Sequence, residues 1–543
     1  MKKKYFVIVF YFVLYLILFF TTYSANYIEG DDASTILYHL CGRNKVIQMP
    51  YSCYNSGFDF LLSFFGENEI VLRNFSIFIS FVFGLIVLVF LAILVSTLFE
   101  NDNSNKKYFF LALLPFLIPD FIFQSLIVNS CNISFALLLL STIFYVKFIK
   151  KHNNIFLILS IFFAAIAIPF RWSNLTYYPV FFSILIFACD FERKKIIHQI
   201  KPLVFHFCVS IFLGIFFIYI SGYNLTSLIE TFFWGKKVME NNEKSIAASF
   251  AIGSSFVTIP FVILMFFGFI KFFRNSKKQV LEKIIFLFIP IFPYLILGIF
   301  IAFKYLITVI PILVIISYYG FTDIHNKKFQ SSLLYSSILA MWFIGIKIDL
   351  NNTLCGDGYG FKKEIRKQKN TITEKNLDAR LKFDKIKLSL DGGLYMPTAE
   401  GPRPLFGYFY VIFGGLWKKD LENLAAKRAT IIQKLKINND VILLQDRMTA
   451  YLECELYKNG YQTFDTYLPK KNTNLLTRNY FSKTDTIVIN VISDNVSKSE
   501  FSIDFLNKNK NVIFRSSYSS LIFNVLNQEL KVDYLDAYTV YKK

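Results

Sequence analysis

Three carboxylates crowd into four residues near the start of the chain: Glu29, Asp31 and Asp32, in Glu29-Gly30-Asp31-Asp32-Ala33. Like charges held this close raise the pKa of at least one member unless a cation compensates. Such a group suits a general base, or a ligand set for a hard divalent cation, with Asp31 and Asp32 as the metal candidates. The same residues also read as a solvated helix start, because Asp is a good N-cap ahead of Ala33–Leu40. Cations that could meet an anionic group are Arg43, Lys45, Arg73, Arg171 and Lys304. Each has an ordinary alternative as a side chain snorkelling from a helix end. His39, Cys41 and Cys53 fit no zinc spacing well, so His39 reads as a packed side chain. Cys41 and Cys53 read as free or buried thiols, or as a bridge if the compartment oxidises them. Trp234, Lys236, Lys237 and Glu240 could stack a sugar ring or hold a phosphate, and interfacial anchoring explains them equally.

The elements that must carry these residues are apolar. Of 543 residues, 55% are hydrophobic, 19% aromatic and only 18% charged, against about 25% charged in soluble domains. A soluble protein this apolar would expose large greasy patches, and the 65 phenylalanines and 32 tyrosines supply far more apolar area than a disordered chain tolerates. The composition predicts a polytopic α-helical membrane protein. Seven Cys without a C-x-x-C pair argue against a zinc ribbon or a disulfide-dense secreted module. The net charge of +20 follows from Lys and Arg grouped between apolar runs, so topology explains it better than nucleic-acid binding does.

A membrane span needs about 20 apolar residues. Eleven runs qualify or approach that length: 5–24, 75–99, 109–127, 133–149, 155–170, 175–189, 203–220, 249–270, 284–302, 305–319 and 329–347. Lys2, Lys3 and Lys4 precede the first run, which predicts a cytoplasmic N-terminus. The even-numbered connections should then face the cytoplasm. They hold or adjoin Lys106 and Lys107; Lys147, Lys150 and Lys151; Arg193, Lys194 and Lys195; Lys271, Arg274, Lys277 and Lys278; and Lys327 and Lys328. A cleaved leader is the lesser reading of 5–24, whose core is long and aromatic. Outside the lipid on the far side lie the loop 25–73 and the polar residues from 349 to 543. In the latter, short buried strands at Val441-Ile-Leu-Leu, Thr486–Ile492 and Asn511-Val-Ile-Phe alternate with amphipathic helices. This predicts two parts, a membrane module over 1–348 and an extracytoplasmic α/β domain over 349–543. No glycine-rich phosphate loop follows those strands. A Gly-, Pro- and aromatic-rich segment from Asp391 to Gly407 reads as an ordered loop facing the membrane, or as a structural turn.

An acidic pair just after the first span, followed by an amphipathic helix, resembles the polytopic GT-C glycosyltransferases. That superfamily includes protein mannosyltransferases, the aminoarabinose transferases of lipid A and oligosaccharyltransferases. Gln48-Met49-Pro50-Tyr51 through Gly57–Leu62 is similar to the family's turn into a second loop helix. Arg73-Asn74-Phe75-Ser76 resembles its Arg-x-x-Ser start of the second span. Phe170-Arg171-Trp172 ends a span where members often carry a cation, and Lys304-Tyr305 followed by Pro311 resembles an Arg-Tyr-x-x-x-x-x-Pro motif. The resemblance covers residues 1–345. It departs at the acidic pair, Asp-Asp here for the usual Asp-Glu, and at Lys304, a point charge in place of a planar fork.

The resemblance implies a donor sugar on a polyprenyl phosphate and an envelope glycan, lipid or protein as acceptor. Asp31 or Asp32 would be the general base, with Arg171, Lys304 and Arg73 at the donor phosphate. Glu29, Arg43, Trp234 and Lys237 are further candidates, and a divalent cation is left open. The expected setting is the cytoplasmic (inner) membrane of a bacterium, with transfer on its outer side. Alternatives are an O-antigen-type polymerase or ligase, expected to place its main outer loop late in the chain, and a transporter or flippase of lipid-linked sugars. A transporter should show repeated halves and ionisable groups at mid-membrane depth, and neither is seen in the sequence.

Overall fold

The computed structural model describes residues 2–22, 56–66, 69–100, 102, 104–118, 121, 125, 130–171, 175–221, 258–274, 279–291, 307–324 and 327–339, with the backbone of short strands beyond 386. The first part is mainly helical. In chain order the helices are α1 (Lys2–Thr22), α2 (Ser56–Ser63), α3 (Glu69–Leu98), α4 (Asn105–Leu117), α5 (Ser130–Lys151) and α6 (Asn154–Phe170). They continue as α7 (Tyr177–Ala188), α8 (Arg193–Ile220), α9 (Ile259–Arg274), α10 (Val280–Phe288), α11 (Ile310–Asp323) and α12 (Lys327–Leu339). Among the described residues three helical stretches are long and apolar enough to cross a membrane: Asn74–Leu98, Ser130–Lys151 and Arg193–Ile220. Tyr5–Ile17, Asn154–Phe170, Tyr177–Ala188 and Ile307–Thr322 are apolar but shorter. Phe6, Val9 and Phe12 of α1 and Phe205, Phe212 and Phe216 of α8 face outward from the bundle. Water would penalise such a surface, and lipid does not.

Beyond residue 386, Val441–Leu444 pairs in parallel with Thr463–Asp465 and with Ile487–Ile492. Ala537–Lys542 lies antiparallel to Ile487–Ile492 and Asn511–Arg515. The segments expected to supply helices between those strands lie outside the described residues, as does the segment 391–407 apart from the short strands Leu394–Met396 and Arg403–Pro404.

Lysines gather the helix ends at one pole of the bundle. Lys150 Nζ, in the last turn of α5, donates to Thr97 O at 2.6 Å and pairs with Glu100 Oε2 at 3.1 Å, joining the ends of α3 and α5. Lys106 Nζ donates to Ile324 O at 3.2 Å, and Lys107 Nζ to Phe99 O at 3.0 Å. Lys271 Nζ reaches Thr322 Oγ1 at 3.0 Å, and Lys283 Nζ reaches Phe272 O at 2.6 Å. The last carbonyls of a helix have no partner in their own ladder and carry the negative end of its dipole, so an ammonium group suits them. An aromatic seam runs beneath: Phe99 to Phe187 at 5.3 Å, Phe187 to Phe191 at 5.8 Å, Phe191 to Phe272 at 5.4 Å and Phe272 to Tyr319 at 5.7 Å. The described parts of the even-numbered connections therefore share one pole. Tyr11 hydrogen-bonds Leu111 O, and Tyr15 reaches Ser125 Oγ at 2.9 Å, so α1 runs alongside and in the same direction as α4. Its lysine-bearing start therefore belongs to that pole too.

At the same pole, Asp102 accepts hydrogen bonds from Tyr318 and from the Ser104 amide, the latter at 2.8 Å. Burial works to raise this carboxyl, but the bonds from Ser104 and Tyr318 and the charge of Lys107 outweigh it and hold the pKa below its ordinary value. A depressed carboxyl contributes stability above its unfolded pKa, about 3.9, and that contribution is lost as pH falls through the lower folded value. Tyr318→Phe should therefore destabilise the protein near neutral pH by about 1 kcal/mol. Thermal unfolding in detergent should show the gap to wild type narrowing below about pH 4; a constant gap would contradict this account of Asp102.

The helices α9 and α11 meet through two glycines. A Cβ on Gly268 would lie 2.0 Å from Ile316 O, and one on Gly320 would lie 2.0 Å from Leu264 O. Backbone against backbone leaves no side chain to yield, as in other small-residue contacts between membrane helices. Gly268→Ala should thus force the pair apart and cost about 1–3 kcal/mol, read as a lowered unfolding temperature in nanodiscs.

Candidate functional site

The pole opposite the lysines holds the candidate site, built on the last turn of α6. This helix starts cleanly, with Asn153 Oδ1 accepting the Ile155 amide at 2.9 Å. It ends at Pro169-Phe170, where the final carbonyls must find partners elsewhere. Ala167 O accepts Ser134 Oγ from α5 at 2.9 Å. The Arg171 amide closes onto Ala167 O and Ile168 O at 3.3 and 3.1 Å. Pro169 O accepts Ser56 Oγ, the first residue of α2, at 3.3 Å.

That last bond seats α2, which belongs to loop 25–73, directly on the end of α6. Gly57 makes the approach possible: a Cβ there would lie 3.1 Å from both Phe170 N and the Pro169 carbonyl carbon. Phe58 and Leu62 then pack with Leu72, Ile77, Ile133 and Phe170 in a small apolar cluster of their own. Two opposite charges are buried where these elements meet. Asp59, two residues past Gly57, is 1% exposed, and Arg171, next after Phe170, is also 1% exposed. Both interact with other residues of the chain, so neither is without a partner. A guanidinium fits the carbonyl end of α6 on electrostatic grounds. By itself that end repels an anion, so a phosphate bound there would need the Arg171 charge.

Of the candidate catalytic and binding residues named from the sequence, Arg171 is the one whose side chain the structure describes. Arg73 lies within α3, with only its backbone described. Glu29, Asp31, Asp32, His39, Cys41, Arg43, Lys45, Cys53, Trp234, Lys236, Lys237, Glu240 and Lys304 lie outside the described residues. No cluster of three His, Cys, Asp or Glu able to hold a metal occurs among the described residues. Two groups were passed over by sequence reasoning. Asp59 lies within the Gly57–Leu62 motif without a role assigned from the sequence, although a lone acid inside Ser56-Gly-Phe-Asp-Phe-Leu-Leu is itself a signal. His206 lies buried midway along α8, in a position to which the sequence reading gives no role.

Gly57→Val should unseat α2 from Pro169 and Phe170 while leaving the rest of the bundle folded. Hydrogen exchange should then accelerate in residues 56–63, and unchanged protection there would contradict the seating described. No protein-family model matches the chain, and no curated protein sequence matches it significantly.

Proposed function

We propose that the chain is an integral-membrane glycosyltransferase of the GT-C type, moving a sugar from a polyprenyl phosphate to an envelope acceptor. The observation that carries this reading is the buried Arg171 at the pole opposite the lysines, roofed by α2. Cations collect at the other pole for topological reasons, and burying one here needs a separate purpose. A lipid-borne phosphate at the outer boundary provides one. On this reading the lysine pole faces the cytoplasm, the runs given above make eleven spans, and the residues after 348 form the extracytoplasmic domain.

The reaction follows from simple bookkeeping of bonds. Asp31 or Asp32 takes the proton of the acceptor hydroxyl as its oxygen bonds to the anomeric carbon. The bond from that carbon to the phosphate oxygen breaks, and its electron pair leaves on the lipid phosphate. Charge thus grows on the phosphate in the transition state, where fixed cations are most effective. Arg171 would meet it from α6, joined by Lys304 and Arg73. Asp59 adds a carboxylate on the same loop as the proposed base.

His206 favours a second reading, carriage of a lipid-linked sugar across the bilayer. Against it, the described residues around His206 offer hydroxyls and aromatic rings, whereas a proton relay needs a chain of ionisable groups.

The test uses purified protein with a radiolabelled panel of polyprenyl-phosphate sugars. Wild type should turn over at least one donor, and Asp31→Asn with Asp32→Asn should lower kcat by at least about a hundredfold, the scale of general-base catalysis. Arg171→Ala should raise the apparent KM for the donor. Saturable donor binding without turnover, and flipping of the donor in vesicles, would transfer the argument to the carrier reading.

A further inference from the structure

Apart from the site at Arg171, the bundle buries a histidine, His206, in a polar node. His206 is the fourteenth residue of the 28-residue helix α8 and is wholly enclosed. Phe181, Tyr145 and Tyr178 surround its ring, with centroids at 4.9, 5.5 and 6.0 Å. Its Nε2 lies 2.8 Å from Ser160 Oγ of α6 and 3.4 Å from Ser141 Oγ of α5.

The two serines bridge α5 and α6: Ser141 Oγ lies 2.8 Å from Ser160 O, Ser160 Oγ lies 2.8 Å from Ser141 O, and the two hydroxyls are 3.1 Å apart. A ring proton on Nε2 finds the Ser160 hydroxyl as its acceptor. No hydrogen-bond partner meets Nδ1 among the described residues. A second ring proton would be a buried cationic donor lacking an acceptor there, which is costly. The node is therefore a neutral imidazole donating from Nε2.

The node also fixes registers. Ser134 bonds Ala167 O, and seven residues on along α5 and back along α6 Ser141 meets Ser160, so both contacts obey one antiparallel register. His206 meets Ser160, and eight residues on along both helices Gly214 meets Ile168, where a Cβ would lie 2.5 Å from Ile168 Cδ1. These two contacts share one parallel register of α6 and α8. Arg171 stands eleven residues past Ser160, about 16 Å along the helix at 1.5 Å per residue.

We propose that His206 is a positioning residue, whose Nε2–H donor locks α8 onto the α5–α6 hairpin and so holds Arg171 in place for the lipid phosphate. The proposal rests on the reading of Arg171 given above. Glutamine reaches about as far as Nε2 and supplies an N–H, whereas leucine fills the space without one.

The experiment uses the full chain in lipid nanodiscs, labelled with 15N-histidine, and undecaprenyl phosphate as the probe. The wild-type spectrum should contain one neutral ring with a protonated Nε2 and a bare Nδ1, absent from His206→Gln. A ring protonated at Nδ1, alone or together with Nε2, would overturn the proposal. Probe binding should weaken at least about tenfold in His206→Leu, since small misplacements of binding groups are expensive, and should return to the wild-type level in His206→Gln. If His206→Leu does not fold, His206→Asn, whose amide falls short of Ser160, takes its place. Unweakened binding in the Leu or Asn variant, while Arg171→Ala loses the probe, would overturn the positioning role alone. Full binding in Arg171→Ala would instead sink the phosphate reading and the positioning role with it.

Discussion

In hydrocarbon, a polar group has no solvent to turn to and must be satisfied by the protein itself. The described bundle is ordered by this requirement. Tyr11 and Tyr15 of α1 reach Leu111 O and Ser125, Asn132 of α5 reaches Ser80 O of α3 at 3.5 Å, and Thr142 of α5 meets Tyr177 of α7 at 2.9 Å. The serines of α5 and α6 bond each other's carbonyls, and Tyr178 of α7 meets Ser210 of α8. Apolar packing fills the space between these bonds, but lipid tails are as apolar as leucine and do little to choose a partner for each helix. The short polar bonds and the glycine contacts at Gly214, Gly268 and Gly320 make that choice.

The same requirement separates the two poles. At one, lysines spend their hydrogen bonds on helix-end carbonyls, which binds neighbouring helices together and keeps positive charge on one side. At the other, the end of α6 is satisfied by Ser134, Ser56 and its own Arg171, and α2 covers it. A cation and an acid buried there, Arg171 and Asp59, are expensive in such surroundings. That cost, set against the ordinary chemistry of the lysine pole, is why the site is sought at this end.

The lysine pole was legible in the sequence because charge runs between apolar stretches are local signals that need no partner to be recognised. Phe170-Arg171 was legible for the same reason, as a cation abutting an apolar run. Asp59, His206 and the glycines were not. A lone His in Leu203-Val-Phe-His-Phe, or a lone Gly in Phe267-Gly-Phe, fits any apolar helix. Its meaning comes from Ser160 for the histidine, or from Ile316 and Gly320 for the glycine, residues 46 or more positions away on another helix, and no periodicity announces them. The span boundaries shifted for a related reason: α5 (Ser130–Lys151) and α8 (Arg193–Ile220) extend beyond the apolar runs 133–149 and 203–220, since a run records burial in lipid or protein without saying where the backbone turns.

The claim that most needs testing is that a lipid-linked phosphate binds at Arg171, beside the end of α6 that α2 covers. A polyprenyl-phosphate sugar carrying a photoreactive group beside its phosphate, cross-linked to the full chain in nanodiscs and mapped by mass spectrometry, tests it directly. The account predicts saturable adducts within residues 56–63 and 167–171, competed away by unlabelled donor. Adducts confined to the outward faces of α1 and α8, rising with lipid content and indifferent to competitor, would contradict it.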